Sequence, residues 1–99
     1  MHKFVIKSSA APIIELGPDG VYVWFKPGIQ AAKTIIKSRW PVVAIDVDAT
    51  GDVIGFECAP LPEEFSLQAL GDRAGVHVPD KAAARAQIRP TAALQTASA

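Results

Sequence analysis

Alternation of apolar and polar residues is the clearest pattern in the chain, and it predicts β-strands. In Val42–Val47 apolar residues hold every second position, and beyond a turn at Gly51 the alternation resumes in Val53–Cys58. An earlier pair of short strands is predicted at Ile13–Leu16 and Val21–Phe25, separated by a cluster of Gly, Pro and Asp. The pattern therefore predicts two β-hairpins. In the second, one face is turned toward a core, whereas both faces of Val21–Phe25 are expected to be partly covered.

A helix is predicted over Pro62–Ala74, because proline and acidic residues suit its first turn and Gly75 suits the left-handed position that ends it. Its predicted apolar stripe comprises Leu61, Phe65, Ala69, Leu70 and Ala74. Asp80 is expected to cap a short alanine-rich second helix. Residues 91–99 have few large apolar groups, so a frayed or disordered tail is expected there.

Residues 29–40 fit either a helix or a strand, since alanine and lysine favour the first and Thr34-Ile35-Ile36 favours the second. Strand is the preferred interpretation from Thr34 onward. The predicted fold class is α+β: a small antiparallel β-meander sheet of about four or five strands, packed by one C-terminal helix, with a short second helix. We expect one domain over residues 1–90.

Composition excludes several classes of protein. The 99 residues hold ten basic and ten acidic side chains, so no net field favours nucleic acid or an anionic membrane. No apolar run approaches the roughly 20 residues that span a bilayer, and the apolar part of the N-terminal segment is short for a signal peptide. A single cysteine does not form an internal disulfide. We expect a cytoplasmic location, no membrane contact and no cofactor.

Three carboxylates near the second turn are candidates for a metal site. Asp46, Asp48 and Glu57, with Thr50 and Gly51, fall on the spacing of an EF-hand calcium loop. The flanks contradict that motif, because strand-like residues and prolines stand where helices should enter and leave. The same carboxylates could instead bind magnesium or manganese in a metal-dependent enzyme or metal-binding protein. The simpler interpretation is the polar face of a hairpin.

Cys58 and His77 could form a nucleophile and a base if folding brought them within hydrogen-bond reach. Cys58, however, shares its predicted strand face with Ile54 and Phe56, where a thiol packs as a small apolar group. We predict no catalytic residue from this pair.

Aromatic residues provide the candidates for an interaction surface. Tyr22 and Trp24 share one strand face, and Trp40 is the last residue of the ambiguous segment. Nearby lysines permit base stacking, but the basic residues are scattered and no RNA-recognition motif is present. An apolar strip that contacts another protein or a second subunit is the favoured interpretation.

The stretches DGVYV at Asp19–Val23 and VAIDVDATGDVIGFE at Val43–Glu57 resemble the small bacterial DUF2283 domain. The resemblance covers about half the chain and implies a compact β-meander, often extended by a helix, without an established activity. It also implies that Gly51 serves the turn and that Gly55 serves a bulge or a close strand contact. Members sometimes occur beside toxin-like proteins, which permits an antitoxin-like role.

The sequence thus predicts a non-enzymatic protein-interaction domain, antitoxin-like or regulatory, with a homodimer or a small protein partner. The contact surface is expected at the aromatic strip or at an unpaired sheet edge. The alternative is the metal-dependent enzyme or metal-binding protein that uses the three carboxylates.

Overall fold

A computed structural model describes residues 4–6, 11–60 and 66–90 of the chain. These residues form two helices and two separate sheets. The strands are β1 (Phe4–Val5), β2 (Ile13–Leu16), β3 (Val21–Trp24), β4 (Lys33–Arg39), β5 (Val42–Val47), β6 (Val53–Ala59), β7 (Val76–His77) and β8 (Gln87–Pro90). The helices are α1 (Leu67–Ala74) and α2 (Asp80–Ala84).

The larger sheet has six strands in the order β4-β5-β6-β3-β2-β8. Its strands are antiparallel except for β8, which pairs parallel with β2. The predicted α+β class and mainly antiparallel sheet are confirmed, as is the strand expected from Thr34 onward. The prediction of a simple meander is wrong, because β6 turns back to pair with β3 rather than with the next strand along the chain.

The predicted number of strands is also too low. Strand β8 is not among the predicted strands; it lies at the sheet edge and contains a proline, which is typical of edge strands. A second sheet joins β1 and β7 in parallel, with Phe4 opposite Val76. Strand β8 and the pairing of β1 with β7 depend on partners far away in sequence, which local patterns do not reveal.

Helix α1 begins later than predicted. Ser66 has extended backbone angles and its Oγ accepts a 3.1 Å hydrogen bond from the Ala69 amide, so Ser66 is the N-cap and α1 starts at Leu67. The start predicted at Pro62 lies outside the described residues. The end is as expected, since Gly75 is left-handed with φ 73°. Ala69 is exposed and Leu67 takes its place in the buried stripe. Leu61 and Phe65 lie outside the described residues.

The second helix differs in its cap. Pro79 occupies the N-cap position and Asp80 is the first helical residue, where its charge favours the helix dipole without a capping hydrogen bond. The predicted tail, residues 91–99, lies outside the described part of the chain.

The helices and one face of the large sheet enclose the hydrophobic core. Alternating strand residues such as Val23, Ile45 and Phe56 point into it and are fully buried. From α1, Leu70 and Ala74 complete it with at most 1% of their surface exposed. Because side chains alternate along each strand, the opposite face of the same sheet carries the residues between these positions. No described helix packs on that opposite face.

Candidate interaction surface

The face of the six-stranded sheet that points away from the helices, here called the open face, carries three cross-strand rows. The register aligns Arg89, Glu15, Tyr22, Glu57, Ala44 and Ile36 in the first row. It aligns Gln87, Ile13, Trp24, Gly55, Asp46 and Thr34 in the second, and Ala59, Val42 and Arg39 in the third. Two predicted surface residues, Tyr22 and Trp24, therefore share this face with two of the metal candidates, Asp46 and Glu57.

Tyr22 and Trp24 form an aromatic pair at the centre of the open face. Their ring centroids are 4.4 Å apart with an interplanar angle of 49°. The Tyr22 hydroxyl donates a 2.6 Å hydrogen bond to Asp46 Oδ2, and Trp24 Nε1 donates a 2.7 Å bond to Glu15 Oε1. Glu15 in turn forms a 3.0 Å ion pair with Arg89 on β8. Because both polar ring atoms have acceptors, the two half-buried rings are held in place.

Burial and the Asp46 carboxylate act together on the Tyr22 phenol. Burial raises the pKa of Tyr22 well above its ordinary value, and the hydrogen bond to Asp46 raises that pKa further. The phenol therefore remains protonated at neutral pH and acts as a hydrogen-bond donor.

Asp46 and Asp48, two of the metal candidates, are occupied by structural hydrogen bonds. Beside the Tyr22 bond, Asp46 accepts a 2.5 Å bond from Thr34 Oγ1. Asp48 lies just beyond β5, where its Oδ1 accepts the Thr50 hydroxyl and amide at 2.7 and 2.9 Å and the Asp52 amide at 3.0 Å. These contacts are an Asx-type arrangement that closes the turn, in which Gly51 has φ 89°.

Lys26 binds this turn from the neighbouring hairpin. Its Nζ lies 3.1 Å from Asp48 Oδ2 and 3.2 Å from Asp52 Oδ2. The Thr50 and Lys26 hydrogen bonds hold the pKa of Asp48 well below its ordinary range. The bonds to the two aspartates raise the pKa of Lys26. The turn is therefore linked by two ion pairs to the segment that follows β3.

The third metal candidate, Glu57, lies apart from Asp48. Glu57 is exposed in the first row, opposite Tyr22, whereas Asp48 is in the turn at the end of the hairpin. The described residues contain no group of three or more His, Cys, Asp or Glu side chains placed to hold a metal ion. The turn between Asp46 and Glu57 is flanked by two strands, whereas an EF-hand loop is flanked by two helices.

Gly55 lies directly under the Tyr22 ring. A Cβ built on Gly55 would lie 2.6 Å from the Tyr22 ring and hydroxyl and 2.6 Å from the Val23 carbonyl oxygen. A register shift also falls here, since Asp46 pairs with Gly55 and the next residue, Val47, pairs with Val53. The missing side chain lets the aromatic ring lie flat across β6 and reach Asp46.

Cys58 and His77 lie in different surroundings. Cys58 is 1% exposed within the core, whereas His77 is exposed on β7. Burial raises the pKa of the Cys58 thiol. A thiol in this setting is a poor nucleophile.

A shallow apolar groove lies at the β4 side of the open face. It encloses about 450 Å³ and is named here the Ile36 groove. Its lining residues are Thr34, Ile36, Ser38, Arg39, Val42, Ala44 and Glu57. Ile36 is 59% exposed, and Trp40, at the turn that follows, is 76% exposed. A neighbouring depression runs from Trp40 past Ala59 and Pro60 to Pro18 and Asp19.

The sequence pattern indicates the aromatic residues but not Ile36 and Arg39 as candidates for the contact surface. Assigning β4 as a strand would indicate the exposure of Ile36, because Thr34 and Ile36 then share one face and Ile35 points to the other. Because residues 29–40 fit either a helix or a strand, the sequence alone does not assign Ile36 to a face. Tyr22 and Trp24, by contrast, are half-buried and hydrogen-bonded, so Trp40 is the most exposed of the three predicted residues.

Comparisons of the chain with family models, curated proteins and solved structures find no match. The resemblance to the DUF2283 domain therefore stays a prediction. Within the described residues, no helix has the length and apolarity needed to cross a membrane.

Proposed function

We propose that the chain is a non-enzymatic protein-interaction domain that binds its partner through the open face. The observation that carries the proposal is the exposure of two large apolar side chains at the β4 side of the sheet, Ile36 at 59% and Trp40 at 76%. The open face of the same sheet carries the aromatic pair. Exposed apolar groups ringed by polar residues are typical of protein contact surfaces.

The polar groups of the open face support binding rather than catalysis. Asp46 accepts hydrogen bonds from Tyr22 and Thr34, at 2.6 and 2.5 Å. Glu15 accepts a 2.7 Å hydrogen bond from Trp24 and forms a 3.0 Å ion pair with Arg89. These contacts form a fixed framework. A catalytic acid or base needs a pKa suited to proton transfer near neutrality, and Tyr22 is shifted away from it. The surface is therefore suited to shape-specific contact.

The charges around the aromatic pair favour a protein over a nucleic acid. Glu15, Asp46 and Glu57 surround the rings on the open face, whereas stacking platforms for nucleic acid carry basic residues that attract phosphates. The lysines and the arginine of β4 lie on the sheet edge.

Site-specific photo-crosslinking tests the proposal. A benzophenone-bearing phenylalanine analogue placed at position 40 should form protein adducts in cells that express the chain, because Trp40 projects from the contact surface. The same analogue at Lys81, exposed on α2, is the matched control and should form none. Ile36→Asp in the position-40 chain should abolish the adducts. Equal labelling from both positions, or none from position 40, would refute the open face as the contact surface.

A further inference from the structure

We propose that the partner of the open face is a second copy of this chain, packed face to face around the Ile36 groove and joined by two reciprocal Arg39–Glu57 ion pairs. The inference rests on the proposed function and names the partner. It follows from the charge pattern of the groove, the strand order and the properties of the sheet edge.

The groove carries opposite charges on its two sides. Arg39 lies on β4 and Glu57 lies on β6, and both are exposed. Neither forms an ion pair with any described residue of its own chain. Between them the apolar side chains of Val42 and Ala44 lie on β5. A surface with a cation on one side, a carboxylate on the other and an apolar floor is complementary to itself.

The strand order makes this complementarity geometrically possible. Strand β5 lies between β4 and β6. A two-fold axis that runs along β5, above the open face, brings β4 of one copy over β6 of the other. Arg39 belongs to the row of Val42 and Glu57 to the row of Ala44, which places them about 7 Å apart along the strand direction. The long arginine side chain spans that offset, and the symmetry forms the contact twice.

Edge-to-edge pairing of β4 with its own copy is the competing dimer, and the sequence of β4 opposes it. Antiparallel pairing centred on Ile36 would put Lys33 opposite Arg39 of the second copy, twice. A register shift between Ile36 and Ser38 also interrupts the ladder at Lys37. Lysines and a bulge on an edge strand are the features that discourage such pairing.

Overall charge and size also suit self-association. The chain has ten basic and ten acidic residues, so two copies experience little long-range repulsion. A standard interface buries roughly 800 Å² on each partner, a small part of this chain's 6127 Å². The apolar centre at Ile36, Val42 and Ala44, with Trp40 at its end, provides the region from which water would be excluded.

Charge reversal measured by sedimentation equilibrium tests the inference. The wild-type chain should be a dimer, and Arg39→Glu or Glu57→Arg alone should lower the association constant at least about tenfold, because each creates two like-charge contacts. An equimolar mixture of the two variants should form heterodimers, and the double variant should recover the homodimer. Lys81→Glu, an equally large charge change on α2, should leave the association constant unchanged. Far-UV circular dichroism checks that every variant is folded.

Three results would overturn the inference. These are a monomeric wild-type chain at high protein concentration, single charge reversals that dimerise like the wild type, and a mixture that recovers no dimer. The experiments distinguish a failure of the dimer from a failure of the proposed function. Position-40 adducts to a different protein, combined with a monomer in sedimentation, would exclude the second copy and retain the open face as the contact surface.

Discussion

The Tyr22 hydroxyl donates a 2.6 Å hydrogen bond to Oδ2 of Asp46, across the intervening strand β6. The contact joins residues separated by 24 positions in the sequence and connects the two hairpins on the open face. It also determines the role of Asp46. The Asp46 carboxylate, a candidate metal ligand in the sequence, accepts hydrogen bonds from the Tyr22 phenol and the Thr34 hydroxyl.

Tyr22→Phe should lower the free energy of unfolding by about 1 to 2 kcal/mol, because the change removes one hydrogen bond and leaves Asp46 with one donor fewer. Urea denaturation monitored by circular dichroism measures the loss. Asp46→Asn, which keeps the shape of the side chain, should cost less than Asp46→Ala. Equal stability of Tyr22→Phe and the wild type would show that the bond contributes nothing.

The ionisation of Tyr22 should report its burial directly, since it is the only tyrosine in the sequence. Its folded pKa lies above the ordinary value of 10.0, chiefly through burial and then through Asp46. The unfolded chain therefore loses the phenol proton first, and stability falls as the pH rises above 10.0. Near-ultraviolet absorbance should show phenolate only as the protein unfolds. Phenolate at the ordinary pH in a folded chain would contradict the burial.

The turn aspartate should contribute to acid stability. The folded pKa of Asp48 is lowered by the Thr50 and Lys26 hydrogen bonds, so its contribution is present at neutral pH and is lost as the pH falls below its ordinary value of 3.8. Asp48→Asn should be less stable than the wild type at neutral pH and should lose less stability on acidification. Denaturation at several pH values measures both. Asp19→Asn, on an exposed turn, is the control and should retain the wild-type stability at neutral pH.

The sequence predicts the elements whose contacts are local and not those whose partners are distant along the chain. Hairpin β5–β6 and the left-handed Gly75 depend on neighbours in sequence, so alternation and turn composition are sufficient to predict them. Strand β8 depends on β2, whose partner residues lie 74 positions away in the sequence. Local propensity carries no information about such a partner.

The candidate site also combines features that the local sequence predicts with features that depend on distant partners. Alternation places Asp46 and Glu57 on an outward face, but the pattern is the same for a metal ligand, a solvated carboxylate and an acceptor for Tyr22. Only the register of β3 against β6 distinguishes them. Lys26 reaches Asp48 across 22 positions for the same reason. The identity of a polar residue's partner is thus a tertiary property.

The Cys58 thiol should react with a disulfide reagent only when the chain unfolds, because it is 1% exposed and burial raises its pKa. The rate of modification should follow denaturant concentration in parallel with circular dichroism. A chain carrying Cys58→Ala and Glu57→Cys, with the thiol moved to the adjacent exposed position, is the matched control and should react at once. Rapid reaction of native Cys58 would revive the nucleophile hypothesis.

The requirement for a small residue under the aromatic ring gives the strongest local prediction. Gly55→Ala should destabilise the chain by about 2 to 3 kcal/mol, because the added Cβ would lie 2.6 Å from both the Tyr22 ring and the Val23 carbonyl oxygen. Thermal or urea denaturation measures the loss. Gly51→Ala is the contrast: nothing lies within 4 Å of its Cβ, and only its φ of 89° is unfavourable, which costs about 1 kcal/mol.

A second substitution separates the two contacts of Gly55. Tyr22→Ala in the Gly55→Ala chain removes the ring but leaves the Val23 carbonyl, which belongs to the backbone of the paired strand and has little room to move. The double variant should therefore remain less stable than Tyr22→Ala alone. Equal stability of these two chains would assign the whole cost to the ring. The close approach of β3 to β6 would then be a consequence of aromatic packing and not of the backbone.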